Sequence, residues 1–389
     1  MKKLLKAIFF LITFFAIKSL SFADFEIKMS DGISPFFQAN QNISSYSNIP
    51  FYELDKNTPD LVDKKALETS KENFKKYIKL LKENWYNSIS LDDLNHLISF
   101  KKSWIYKDSN IEKRNNIYKN YYKELVNIAK NENISVYITT DMQFYTDLME
   151  EKIWKISVNN KKLEDINKEA FEELFSDLGE ISWVIMRIWE WWKAYNSWDY
   201  KSKIIYKDPE DVNKLLKEIL PIFEKNSKKL IFRTWTIWIG EIWDLIVDKK
   251  TYDETFSEIN SNNLIVSVKQ TPGDFFYFES LNPTIWYWNL KQIVEIEVRR
   301  EYEWWWDFPN YMWDYYKEIY DKIKEKDNIV WVWNWNQTWW WWWWKNILFN
   351  FWFNFWNEIN FYVVWQILNW KEINLDEILD KYNFSNEQK

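Results

Sequence analysis

The sequence predicts an α/β protein built as a (β/α)8 TIM barrel. Short apolar segments typical of strands alternate along the chain with longer segments of helical periodicity. Eight strand segments are present, and they are mostly separated by helical ones. Such alternation is typical of a parallel sheet covered by helices, and eight units close into a barrel. An open doubly wound sheet is the alternative that the same pattern allows.

The strands and helices follow one another over most of the chain. Residues 24–65, rich in Asn, Ser and Pro, are predicted to be irregular, so that the catalytic barrel domain would occupy residues 66–389. Strands are predicted at residues 86–91, 134–139, 184–188, 230–236, 264–268, 293–298, 329–332 and 347–351. Helices are predicted at residues 66–83, 111–131, 166–178, 209–225 and 358–368.

The first 23 residues have the features of a signal peptide. Lys2 and Lys3 precede an apolar stretch at residues 4–17, and Ser21-Phe22-Ala23 offers a cleavage site. We therefore expect a secreted or otherwise extracytoplasmic protein with no stable membrane span after cleavage. An uncleaved anchor is the alternative.

The amino-acid composition indicates an unusual genetic code. The chain has 389 residues, with 30 Trp and only 4 Gly, whereas Gly normally makes up roughly 7% of a protein. Several Trp follow Asn as Gly does in tight turns, for example Trp85 and Trp370. Abundant Lys, Asn and Ile fit an AT-rich genome. We therefore interpret most Trp as Gly encoded by a reassigned UGA stop codon.

Two tryptophans are expected to be genuine, because neither Trp235 nor Trp335 lies where a turn is demanded. The alternative interpretation takes all the Trp literally. The indoles would then form a stacking platform for sugars or a membrane-interfacial surface.

Charge and residue inventory exclude several function classes. A net charge of −7 and the lack of a basic stripe argue against a nucleic-acid partner. The lack of Cys excludes disulfides and thiol catalysis, and His96 is the single His, which argues against a His-based triad or a multi-His metal site. No Asp-rich calcium loop is present, and no metal or cofactor is predicted.

Charged and polar residues follow the predicted strands, where a barrel places its active site. These residues are Asp92, Asp93, Thr140, Asp141, Glu190, Arg233, Lys269, Asp274, Glu301 and Asn334. Carboxylates in different environments at one barrel mouth suit acid/base chemistry, and paired carboxylates acting on a glycosidic bond fit this inventory best. Glu295 and Glu297 share one face of a strand, and inward-facing charges in a barrel strand need partners. Arg299 and Arg300 are expected to serve in part as ion-pair partners of Glu295, Glu297 or Glu303.

Several segments carry a family resemblance. They are V-I-M-R-I-W-E-W-W-K at residues 184–193, L-I-V-S-V-K-Q-T-P-G-D-F at 264–275, Q-I-V-E-I-E-V-R-R-E-Y-E at 292–303 and N-W-Y-N-S-I-S-L-D-D-L-N at 84–95. These segments resemble the catalytic barrel of the glycoside hydrolase family 67 α-glucuronidases, over about residues 66 to 383. The resemblance implies an enzyme that removes glucuronic acid from xylan fragments, so that its partner is an oligo- or polysaccharide.

The resemblance also implies residue roles. Glu190 matches the family's general acid, while Asp274 and Glu301 match its base function. Arg233 and Lys269 match the cationic side chains that bind the uronate carboxylate. The reaction implied is inverting. A Lys that the family carries shortly before its acid is Met186 here, and a non-catalytic carbohydrate-binding or cell-surface barrel is the alternative.

Overall fold

The computed structural model describes most of the chain from residue 27 onward. The described residues are 27–31, 61–62, 64–142, 144–188, 200–202, 204–236, 241–275, 280–287, 290–297, 312–335, 349–369, 371 and 375–383. The predicted signal peptide, Glu190 and Glu301 lie outside these ranges.

Eight parallel strands close into a barrel, which confirms the predicted (β/α)8 fold. The ten described strands are β1 (Ile27–Asp31), β2 (Ser88–Leu91), β3 (Ser135–Asp141), β4 (Phe144–Thr146), β5 (Trp183–Arg187), β6 (Tyr200–Ser202), β7 (Lys229–Arg233), β8 (Leu264–Lys269), β9 (Gln292–Glu297) and β10 (Ile329–Trp335). All except β4 and β6 belong to the barrel. They pair in chain order, and β10 returns to pair with β1.

Helices connect most of the barrel strands. The described helices are α1 (Lys64–Glu83), α2 (Asn110–Asn131), α3 (Asp147–Ile153), α4 (Lys161–Asp177), α5 (Pro209–Lys225), α6 (Lys249–Phe256), α7 (Trp313–Ile323), α8 (Phe349–Leu368) and α9 (Leu375–Lys381). Local signals start several of them. Ser109 caps α2, and Asp208 caps α5 by accepting a hydrogen bond from the Asp211 amide at 2.8 Å. None of the helices within the described ranges combines the length and apolar character needed to cross a membrane.

The sequence placed one barrel strand wrongly. A strand was predicted at residues 347–351, but α8 begins at Phe349. The remaining barrel strand is β1, which lies within the segment predicted to be irregular, so the barrel begins before residue 66. A short apolar run does not distinguish a strand from part of a buried helix. Strand β1 is five residues long, and it depends on its neighbours, since Met29 pairs with Trp333 of β10 and Ser88 of β2.

Side chains of the barrel strands alternate between two environments. One buried cluster fills the barrel interior, and its strand members are Ile27, Met29, Tyr137, Ile185, Ile231, Ile265, Ile293, Trp333 and Trp335. Residues between them in sequence, such as Val184, Phe232 and Val294, belong to a second cluster that includes the helices. The interior is therefore a packed core, and polar residues near the carboxyl ends of the strands lie above it.

A small second sheet connects loops on one side of the mouth, by which we mean the rim formed by the carboxyl ends of the barrel strands. Strands β4 and β6 pair in antiparallel fashion, with Thr146 opposite Tyr200. They follow β3 and β5, respectively. The Tyr200 hydroxyl donates to the carbonyl oxygen of Asn95, after β2, at 3.0 Å. The segments after β2, β3 and β5 are thereby joined.

Four tryptophans have backbone conformations that favour glycine. The φ angles are 58° at Trp85, 60° at Trp104, 72° at Trp154 and 52° at Trp286, and all four side chains are exposed. A residue with a Cβ atom loses roughly 1–2 kcal/mol in this left-handed region. Trp154 follows directly after α3, where glycine commonly ends a helix. These angles support our proposal that the natural protein carries Gly at these positions.

We predict that peptide mass spectrometry of the protein from its natural source will find Gly at positions 85, 104, 154 and 286, and Trp at 235 and 335. The large mass difference between the two residues makes each assignment unambiguous. Trp at the four left-handed positions would contradict the reassigned-codon proposal. The result also decides which sequence recombinant variants should carry.

Candidate active site

Strands β7, β8 and β9 bring charged side chains to the upper part of the barrel interior. Arg233 ends β7, Lys269 ends β8, and Glu295 lies on β9 opposite Lys269 in the strand register. All three side chains are buried. Each of these residues follows an inward-facing isoleucine of its own strand at an even spacing. Arg233 follows Ile231, Lys269 follows Ile265, and Glu295 follows Ile293. The alternation of a strand therefore turns them towards the barrel axis.

Arg233 and Glu295 form a bidentate ion pair. Arg233 donates from Nε to Glu295 Oε1 at 2.9 Å and from Nη2 to Oε2 at 2.8 Å. The Ser267 hydroxyl donates to Oε1 at 2.8 Å, and Trp335 Nε1 donates to Oε2 at 3.0 Å. The expected partners of Glu295, Arg299 and Arg300, lie outside the described residues. The sequence therefore missed the pairing of Glu295 with Arg233.

Lys269 and Asp274 form a second ion pair. The Lys269 ammonium group contacts Asp274 Oδ1, and the Phe275 amide donates to the same oxygen at 3.0 Å. Lys269 Nζ also lies 3.4 Å from the centroid of the Trp235 ring and 4.2 Å from that of Phe275. A carboxylate and two aromatic rings therefore surround this cation. The sequence listed both residues at the end of this strand but did not predict that they pair.

A third ion pair lies on β3 and β5. Arg187 Nε contacts Asp141 Oδ1, and both side chains are almost fully buried. Also on β3, the Thr139 hydroxyl donates to Asp92, which follows β2. Asp92 and Asp141 were predicted at the mouth from their positions after strands. Their buried partners were not predicted.

Asp93 has an environment that favours its protonated form. Its side chain is 1% exposed, and its Oδ1 accepts hydrogen bonds from the amide and side-chain nitrogens of Asn95, both at 3.3 Å. Burial raises the pKa of Asp93 well above its ordinary value, and the neighbouring Asp92 and Asp141 raise it further. The site thus includes a carboxyl group that favours its acid form near the Asp141 carboxylate, which pairs with Arg187.

His96 is part of the core. It ends a short 3-10 helix, Leu94–His96, is 1% exposed, and packs edge-on against Tyr200 with ring centroids 4.8 Å apart. Burial, and then the charge of Arg114, lower the pKa of His96 well below its ordinary value. These observations favour a neutral core histidine over a substrate-binding one.

The structure brings together only some of the residues predicted at the strand ends. Arg233, Lys269 and Asp274 lie at the mouth, whereas Glu190 and Glu301 fall outside the described residues. Asn334 donates to the Tyr86 hydroxyl at 2.6 Å, and Tyr86 belongs to the cluster between barrel and helices. Asn334 therefore does not face the interior. Within the described ranges, no group of three or more His, Cys, Asp or Glu residues is placed to hold a metal ion.

Comparison with solved structures identifies similar barrels. A family 89 glycoside hydrolase from Clostridium perfringens, in complex with 2-acetamido-1,2-dideoxynojirmycin, matches 93% of this chain and 39% of its own with a TM-score of 0.54 and 8% identity. A family 138 glycoside hydrolase that targets pectin rhamnogalacturonan II matches 81% of this chain and 35% of its own, with a TM-score of 0.52 and 13% identity. The chain thus spans less than two fifths of the length of either protein.

These similarities establish the fold. No protein-family profile matches the chain, and no curated protein matches it in sequence. The residues at the mouth of the barrel therefore carry the evidence for its activity.

We predict that replacing Asp93 by Asn stabilises the protein at neutral pH by on the order of 1–3 kcal/mol, because Asn does not ionise and so removes the free-energy cost of keeping this buried carboxyl group protonated. Because the pKa of Asp93 is raised in the folded protein, the unfolded chain loses this proton first as the pH rises from about 4. The free energy of unfolding of the wild-type protein therefore falls with rising pH until the pH exceeds the pKa of Asp93 in the folded state. The stability difference between variant and wild type should vanish near pH 4. Urea unfolding from pH 4 to 8 measures it.

Asp321→Asn is the matched control on α7. Its hydrogen bond with Lys317, and then that with Lys324, lower the pKa of Asp321. This variant should therefore lose stability at neutral pH and match wild type only at low pH. A destabilised Asp93→Asn variant at pH 7 would contradict our assignment for Asp93.

Proposed function

We propose that the protein is a glycoside hydrolase that acts on uronic-acid-bearing saccharides at the mouth of its barrel. The observation that carries this proposal is the partly buried Lys269–Asp274 pair at the end of β8. It places a carboxylate and a cationic donor together where (β/α)8 enzymes hold their substrates. The two similar barrels, which are glycoside hydrolases of families 89 and 138, support the proposal at the level of fold.

The proposed mechanism uses two carboxyl functions. Glu190 would protonate the oxygen of the leaving group, and Asp274 or Glu301 would activate water on the opposite face of the sugar. An inverting reaction needs roughly 6.5–9.5 Å between the two carboxyl groups, because a water molecule must fit between Asp274 or Glu301 and the sugar. Lys269 beside Asp274 provides a hydrogen-bond donor next to this water.

Lys269 and Arg233 would bind the uronate carboxylate by charge-assisted hydrogen bonds. Each cation already has a carboxylate partner within the chain, Asp274 for Lys269 and Glu295 for Arg233. Binding of the uronate carboxylate would therefore depend more on the orientation of the Lys269 and Arg233 hydrogen-bond donors than on a net positive charge at the mouth. A signal peptide and an extracellular polysaccharide substrate complete this proposal.

A non-catalytic carbohydrate-binding barrel is the second candidate. The observation that favours it is the internal pairing of the three described mouth cations, Arg187, Arg233 and Lys269. Such pairs can hold a binding surface rigid without any turnover.

We predict that Glu190→Gln and Asp274→Asn each lower kcat on aldouronic acids by about 10²–10⁴-fold, because each removes a proton-transfer group. Released sugar is measured on aldouronic acids and on a panel of exported polysaccharides. Asp321→Asn, on the outer surface, should keep wild-type activity. Sugar binding without turnover by the wild-type protein would instead establish the carbohydrate-binding alternative.

We further predict that the released uronic acid first appears with the anomeric configuration opposite to that of the substrate. Single displacement by water causes this inversion, whereas a covalent glycosyl-enzyme would retain the configuration. Proton NMR during the first minutes of hydrolysis, before mutarotation, distinguishes the two anomers. Initial release of the retained anomer would contradict the proposed roles of Asp274 and Glu301.

A further inference from the structure

Glu295 is a highly coordinated carboxylate in the barrel interior. Its side chain is fully buried. It accepts four hydrogen bonds from three side chains, two from Arg233 and one each from Ser267 and Trp335. These donors come from β7, β8 and β10, so one residue of β9 links four adjacent strands. The carboxylate has roughly four acceptor sites, and all are used.

Stability alone is a weak explanation for this arrangement. Burying two charges costs several kcal/mol, and well-packed apolar residues often give equal or greater stability than a buried ion pair. Arg233 and Glu295 occupy inward positions directly above Ile231 and Ile293, where an apolar side chain would extend the core. A bidentate pair instead fixes the plane and direction of a guanidinium group.

The contacts of Arg233 define that direction. Its Nε and Nη2 atoms both donate to Glu295, so the pair fixes the plane of the guanidinium group and the directions of its other N–H bonds. The guanidinium carbon lies 4.6 Å from the centroid of the Trp335 ring, whose Nε1 bonds Glu295. Glu295 thus accepts hydrogen bonds both from Arg233 and from Trp335, the aromatic residue whose ring lies next to the guanidinium group.

We infer that Glu295 is a positioning residue, which orients Arg233 for the carboxylate of the substrate without touching the substrate itself. This inference rests on the proposed action on uronic-acid-bearing saccharides. Selectivity for the uronate over a neutral sugar then depends on Glu295 through Arg233.

The test compares an aldouronic acid with the same oligosaccharide after its carboxyl group has been reduced to an alcohol. Glu295→Gln keeps the size of the side chain and removes its charge. We expect KM for the aldouronic acid to rise about tenfold, as for the loss of one charge-assisted hydrogen bond. KM for the reduced substrate, and kcat for both, should change less than about twofold.

A double-mutant cycle connects the effect to Arg233. If Glu295 acts through Arg233, then Glu295→Gln should add little to the KM of an Arg233→Met variant. Glu295→Asp retains the charge and should restore part of the selectivity, and it serves as the second variant if the Gln variant folds poorly. Glu173→Gln is the matched control, because Glu173 is a buried glutamate paired with Lys119 at 2.8 Å between α4 and α2. It should not alter selectivity.

The outcomes separate the inference from the proposed function. Equal losses on both substrates in Glu295→Gln, or additive effects in the cycle, would overturn the positioning role while leaving the enzyme assignment intact. A wild-type protein that does not prefer the aldouronic acid would overturn the uronate specificity and the role of Glu295 together.

Discussion

Closure of the parallel sheet is the constraint on which the site depends. Strand β1 pairs with β10 on one side and with β2 on the other, so no barrel strand is left with an open edge. All strand carboxyl ends then lie at one rim, and closure turns one face of every strand inward. Arg233 and Glu295, which are 62 residues apart in sequence, meet for this reason.

Burial inside the closed barrel also determines how the charged side chains are arranged. An unpaired charge inside the barrel would cost several kcal/mol, so charges there need partners. The three described pairs are Arg233–Glu295, Lys269–Asp274 and Arg187–Asp141. Each joins two strands or a strand and the segment that follows it. Sugar hydroxyls both donate and accept hydrogen bonds, so they can bind such pairs without leaving an uncompensated charge. This property suits the saccharide ligand that we propose.

The sequence predicted those features that arise from local pattern. Helical periodicity gave α5 at its observed bounds, and the alternation of strand and helix segments gave the barrel. It failed where a feature depends on distant partners. Strand β1 is too short to be recognised without β2 and β10. Glu295 was recognised as an inward charge in need of a partner, but the identity of that partner is fixed by strand register, which no local pattern contains.

The tryptophans divide by environment in a way that bears on the site. At Trp154 the backbone is left-handed and the side chain is exposed, so an indole contributes little and glycine is favoured. At Trp335 the indole N–H reaches the buried carboxylate of Glu295. Glycine there would remove one of its four donors and open a cavity beside Arg233, which would weaken the orientation of the guanidinium. The geometry of the site therefore favours a genuine Trp at position 335, which agrees with the interpretation that most, but not all, of the Trp stand for Gly.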